Sequence, residues 1–423
     1  MSLPTLRVEI DFASGPSFSY PLLLDSPAYG LLDINTLGDA PADVVDISDM
    51  VLRCSTRRGR NRILANFEAG TATVVLNDPN SDFNPFNPAS PYFTKLLPLR
   101  KIRIYAVTPF DGDFVEVNLF AGYITSYDTG FYQGTNETAT VTLQCVDGFR
   151  LLNNVSTGVN PVPGATAGQL SGARVNTLLD YSNFPGSMRF INTGNSTMQV
   201  DPGGERSLLQ AIQTIEQSEF GAFYMSRSGK TVFLDRNSVS EFADVTPRFY
   251  ADNSAPGSLT YTNLDFAYDD QLILNDVTVT RLGGVPQEVQ DQFSIDTYFL
   301  KSGQRSNLLI ETDAEAENQA RTLLAARKNA DLRIDSMNLD ISGDNNEDSV
   351  LVNLTSDIYT LVVISKTMPG GSFITRELFI QGVQHDVTPN SWTMKVLTAE
   401  PLIQAFILDS PTQGILNNNN LTY

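Results

Sequence analysis

The sequence predicts an α+β protein dominated by antiparallel β-sheet, with two strand-rich regions on either side of a small α/β segment and extended terminal segments. Three observations predict it. Apolar and polar side chains alternate with a period of two through most of the first 150 residues, and again from residue 259 onward. Helical spacing concentrates in two places, 205–219 and 313–328. Between the alternating runs lie clusters of Pro, Gly, Asn and Ser, the residues of turns. The division that follows is an N-terminal β domain (1–153), a small α/β domain (154–250), a second β domain with one helix (251–402, helix 313–328) and a C-terminal extension (403–423).

In chain order, 6–12, 72–78, 101–107, 117–127 and 138–147 read as strands. Residues 77–91 hold four prolines and four asparagines, which excludes a helix or a central strand. They are expected to form an ordered loop lying across a partner, since Phe83 and Phe86 gain nothing from solvent. Residues 154–204 are poor in charge, with a short helix predicted near 173–181. Leu208, Leu209, Ile212 and Ile215 then mark a helix, followed by a hairpin about the turn Arg227–Lys230. Strand signals return at 259–282. The helix at 313–328 is capped by Thr312 or Asp313, with Glu315 and Glu317 near its positive end and Arg327 and Lys328 near its negative end. Strands at 332–341, 358–366, 372–387 and 391–399 follow.

Two short segments repeat one another. Residues 24–39 and 408–423 align without a gap and share eight of sixteen residues in the same order. An Asp-Ser-Pro turn, a freeing glycine and spaced leucines make each a turn-rich clip that cannot bury its own leucines. The clips, 22–39 and 406–423, are therefore expected to dock outside their own β domains. Their candidate assembly residues are Leu24, Asp25, Pro27, Gly30, Leu32 and Leu37 in the first, and Leu408, Asp409, Pro411, Gly414, Leu416 and Leu421 in the second.

Composition narrows the function. A net charge of -20 opposes sequence-independent nucleic-acid binding, which needs a basic face. Of the 28 cationic residues only seven are lysine, a bias found at protein interfaces and also produced by a GC-rich genome. Arg53, Arg57, Arg58, Arg60 and Arg62 form the one basic cluster; without interleaved aromatics it reads as an interface or a counterweight to acidic loops. Cys54 and Cys145 lie in strand-like runs and read as free buried thiols, with a single disulfide as the alternative. His385 is the sole histidine, so no His-based metal cage can form, and no G-x-S-x-G elbow is present. The acidic run 340–349 lacks the spacing of a calcium loop and reads as a solvated loop. No catalytic residue, cofactor or metal is expected. No N-terminal secretion signal and no apolar run of ~20 residues is evident, so a soluble chain is expected.

The runs 67–91, 99–106, 119–128 and 139–152, taken in order with 208–236, 275–281, 320–341 and the closing 408–423, resemble siphophage minor tail proteins. The chain is similar to the tail-tip hub class, whose members share a fold with the hub of contractile-tail baseplates. The resemblance implies a homotrimeric ring in which each subunit gives two tube-like β-barrel or sandwich domains, so that pseudo-sixfold symmetry caps the hexameric tail tube. It implies a virion location at the tail tip, a role in genome ejection, and other tail proteins as partners: the distal tail or tube protein, the tape-measure protein and further minor tail proteins. Nothing resembles the lysozyme or peptidase domain some hubs carry, so no enzymatic activity is expected. The alternatives are the hexameric distal tail protein and a host-surface carbohydrate-binding tail protein; a single tryptophan, Trp392, weakens the latter.

Overall fold

The computed structural model describes residues 4–12, 43–60, 66–131, 139–240, 246–252, 257–344 and 346–400. The first part of the chain supplies β1 (Thr5–Asp11), β2 (Val44–Asp46), β3 (Val51–Gly59), β4 (Glu68–Asn77), β5 (Arg100–Phe110), β6 (Asp113–Phe131) and β7 (Ala139–Val146). They lie in the order β2-β1-β5-β6-β7-β4-β3, antiparallel throughout. Period-two alternation decides their faces: Cys54, Thr56 and Arg58 of β3 point inward while Arg53 and Arg57 point out.

A small α/β segment follows, with α1 (Phe149–Asn154), β8 (Gln169–Leu170), α2 (Ser171–Tyr181), β9 (Arg189–Ile191) and β10 (Thr197–Met198). It continues through α3 (Leu208–Glu219), β11 (Ala222–Met225), β12 (Thr231–Leu234) and α4 (Arg236–Ser240). Ser207 and Gln210 close a reciprocal capping box that starts α3, and Phe220 in the left-handed conformation ends it. The predicted hairpin is β11–β12.

The remainder holds β13 (Arg248–Ala251), β14 (Leu259–Thr260), β15 (Asn263–Ala267), β16 (Asp276–Arg281), β17 (Gln287–Gln290), α5 (Gln292–Tyr298) and β18 (Ser302–Leu308). Then come α6 (Asp313–Arg327), β19 (Arg333–Asp340), α7 (Glu347–Thr355), β20 (Leu361–Thr367), β21 (Phe373–Thr388) and β22 (Ser391–Ala399). Seven of these strands, ordered β14-β13-β20-β21-β22-β19-β15, form a second sheet half. The two halves are one continuous 14-stranded sheet because β21 pairs with β3, from Gly382 opposite Gly59 to Val387 opposite Cys54. One edge of β21 thus takes β20 along its first half and β3 along its second, while β22 covers the other edge. At the join, Gly59 has φ +108° and a Cβ there would lie 2.3 Å from the Gln381 carbonyl oxygen, so only glycine fits.

Three hydrophobic clusters organise the interior. The largest mixes Val8, Ile10, Val74 and Leu143 of the first half with Ile334, Met337, Val383 and Val396 of the second. Helix α7 adds Val350 and Leu354 to it and packs on β5 and β6 across the join. A second cluster lies beneath α1–α3 and takes in Tyr359 and Phe379. A third is local to β16, β18 and α6, built on Val277, Val279, Leu308, Ala316 and Leu323. Thr312 caps α6 by accepting from the Glu315 amide at 3.2 Å, with Asp313 and Glu315 in the first turn and Arg327 in the last.

The fold is mostly sheet with seven α-helices among the described residues, and several expectations are corrected by it. No closed barrel forms among the described strands: β2, β14 and β15 each pair on one side only. Among the described residues, 251–402 hold three helices rather than one. Part of the acidic run becomes α7, because Asn346 caps it by accepting from the Asp348 amide and Glu347 and Asp348 favour its positive end. The signal at 259–282 resolves into three short strands, β14, β15 and β16. In the Pro- and Asn-rich loop, Phe83 is fully buried against Tyr92 in the protein's own core, whereas Phe86 is 89% exposed. Among the described residues no helix is long and apolar enough to cross a membrane.

Candidate functional site, a buried ionic junction

A cluster of buried polar side chains sits where the two sheet halves and the α/β segment meet. Its anchors are the inward arginines of the sequence-predicted basic cluster. Arg58 donates through Nε to the Leu119 carbonyl at 2.9 Å and through Nη2 to Asp357 Oδ1 at 2.6 Å. Arg227, in the β11–β12 turn, approaches the other oxygen of Asp357 at 3.7 Å. Arg60 donates to Gln381 Oε1 at 2.9 Å and to the Tyr359 hydroxyl at 2.8 Å, with its guanidinium 4.4 Å from the Phe67 ring centroid. Outward-facing Arg53 and Arg57 pair instead with Asp386 and Glu68 on the surface. Strand alternation therefore splits one basic run into two surface pairs and two buried braces. Arg62 lies outside the described residues.

Carboxyls buried near these arginines are shifted. Burial raises the Glu216 carboxyl, on α3, to about 7 against the pull of Arg60, the Phe223 amide and Arg305. Arg305, on β18, is itself lowered to about 10 by burial, and its guanidinium lies over the Phe220 ring at 4.4 Å. Asp147 accepts from the amides of Gly70 and Phe149 at 2.6 and 3.0 Å, yet burial raises it to about 7. A side chain at Gly70 would meet that carboxylate at 2.7 Å. Tyr359 closes the junction at φ +65°, 2% exposed, with its amide donating to Ile380 O at 2.7 Å.

This arrangement locks pieces together. The donors of Arg58 and Arg60 described above are spent on partners from other elements. His385 is buried, accepts from Trp392 Nε1 through Nδ1 at 3.3 Å, and is lowered to about 3 by burial and by the Arg58 charge, so it is neutral. Cys54 and Cys145 are free and buried; burial, reinforced by Asp386, pushes the Cys54 thiol up to about 12. A cleft of about 670 Å³ opens between β15, β19, β22 and the end of α6. There Arg333 grips Asp269 and Asp335, and Arg376 reaches Glu400.

The clip residues Leu24, Asp25, Pro27, Gly30, Leu32, Leu37, Leu408, Asp409, Pro411, Gly414, Leu416 and Leu421 all lie outside the described residues. Sequence reasoning located Arg58 and Arg60 but not their partners. Asp357, Tyr359 and Gln381 stand some 300 positions away and carry no local signal. Glu216 was legible only as a polar residue of the predicted helix 205–219, next to the apolar stripe of Leu208, Leu209, Ile212 and Ile215.

No protein-family model matches the chain, and no curated protein matches it. Its structural neighbours are phage tail proteins. A tail protein from Neisseria meningitidis MC58 matches with a TM-score of 0.53 at 14% identity, over 83% of this chain and 93% of that one. The 43 kDa tail protein of prophage MuSo2 from Shewanella oneidensis matches with a TM-score of 0.52 at 10% identity, over 86% and 97%. At these identities the likeness establishes a common fold, reaching across both sheet halves and the segment between them.

Proposed function

We propose that this chain is a non-enzymatic structural protein of a phage tail, the hub at the tail tip, where it forms a homotrimeric ring that caps the tail tube. The observation that carries the proposal is the extent of the fold likeness: nearly all of two tail proteins is matched by most of this chain. The two seven-stranded halves support it further, since three chains with two sheet units each present six units to a hexameric tube. The division 1–153, 154–250, 251–402 and 403–423 belongs to this reading, as do tail-tube, tape-measure and minor tail proteins as partners. So does docking of the clips 22–39 and 406–423 on neighbouring surfaces, including the adjacent subunit. The junction suits the role, because a ring that bears load during genome ejection needs its halves fixed to each other.

Labelling the assembled particles with gold-conjugated antibody to this chain tests the reading. Label confined to the end of the tail distal to the head is the expected result. Label along the tube or at the head junction, or virions without the protein, overturns it.

A further inference from the structure

The segment Asp291–Lys301, outside the junction and outside the clips, carries two of the most exposed phenylalanines of the described chain: Phe293 at 79% and Phe299 at 82%. Leu300 beside them is also exposed, and the Lys301–Asp270 ion pair brings the loop of exposed Tyr268 to the same end. These rings are held out by buried chemistry. Fully buried Asn275 donates through Nδ2 to the Phe299 carbonyl at 2.8 Å and accepts through Oδ1 from the Lys301 amide at 2.7 Å. Its main chain bonds the Lys301 carbonyl and the Asp291 amide, each at 3.0 Å. Ser294, also buried, donates to the Lys328 carbonyl and fastens α5 to the end of α6. Between these clamps Phe299 takes φ 65° and ψ 167°, a region that only glycine enters without strain. A strained backbone, enforced by a buried amide in order to present an aromatic ring to water, has no use in the isolated chain.

The charges around the rings say what they meet. Both lysines of the segment's surroundings are engaged, Lys301 by Asp270 and Lys328 by Asp291. Asp276, Glu288 and Asp296 remain as an acidic rim with no cationic ion-pair partner among the described residues. We infer that Asp291–Lys301 is a preformed docking knob for a different protein, one that offers an apolar pocket rimmed by lysine or arginine. A second copy of this chain fits poorly at this knob, because the described outward arginines of its one basic cluster, Arg53 and Arg57, are already paired with Asp386 and Glu68. An anionic bilayer is disfavoured by the same rim.

A photo-crosslinking residue placed at Phe293 or at Phe299 in the full chain tests this in cells producing the particles. The expected crosslink is to another protein, at apolar residues flanked by lysine or arginine. Crosslinks to a second copy, to vesicles of 3:1 phosphatidylcholine and phosphatidylglycerol offered to the purified protein, or to nothing, overturn the inference. The double variant Phe293→Ser with Phe299→Gly, once a melting curve has established that it folds, should reduce binding of the crosslinked partner about a hundredfold; unchanged binding also overturns it. The knob does not depend on the tail reading. A crosslink to a basic-rimmed protein from outside the tail would sustain it while the tail assignment failed.

Discussion

Tyr359 and Phe299 share a backbone φ of 65° and end in opposite places. Tyr359 is turned into the junction, 2% exposed, where its hydroxyl accepts from Arg60 and its ring meets Phe67, Tyr224 and Phe379. Phe299 is turned into water by the buried amide of Asn275. In both regions buried polar groups hold an aromatic residue where the chain alone would not put it. At the junction the contacts formed in return offset the strain within the molecule. At the knob nothing among the described residues offsets it, so a partner is the place to look for the return.

Breaking the junction should have the largest effect. Arg58→Ala takes two charge-assisted hydrogen bonds of a buried guanidinium from half-buried Asp357 and from the Leu119 carbonyl, and is expected to cost about 3–5 kcal/mol, read as a lowered midpoint in denaturant. A change within a few tenths of a kcal/mol would make the junction incidental. Asn275→Ala at the knob should cost about 2–3 kcal/mol, because the Lys301 amide and the Phe299 carbonyl lose their partner. Hydrogen exchange should then rise in 291–301 and stay unchanged at β3 and β21, which separates the two regions.

Glu216→Gln probes the junction through pH. The folded protein raises this carboxyl to about 7 from an ordinary 4.5, so the folded state binds its proton more tightly than the unfolded chain. The stability this contributes is complete below pH 4.5 and is lost as pH rises through 7. Between pH 5 and 8 the native chain should therefore lose about 1–3 kcal/mol more stability than the glutamine variant. Equal pH dependence would mean that Glu216 is ionised throughout. The smallest effect is expected from Phe299→Gly, which relieves the backbone and should raise stability by about 1 kcal/mol. A destabilised variant would show that the exposed ring already has partners within the chain.

The regular elements were legible because their periods are local. Strand alternation in 101–107 and 391–399, and helical spacing at 208–215 and 313–328, need no knowledge of neighbours. The acidic run misled because charge density outweighed the Asn346 cap and the apolar Val350 and Leu354 that bury α7. The join of β21 to β3 was invisible, since pairing across some 320 residues leaves no period; glycine at 59 and 382 was its only trace. For the same reason two arginines of the junction were seen as a patch and not as braces. Phe299 carried no warning at all, because its strain is imposed by Asn275, 24 positions earlier in the chain.

The most direct test of the central claim is the rotational symmetry of the ring proposed for this chain at the tail tip, read from averaged electron micrographs of the particle. The account predicts threefold symmetry, with two seven-stranded units per subunit arranged as six around the axis. A ring of six copies, or a chain that is present only as a monomer, would contradict it.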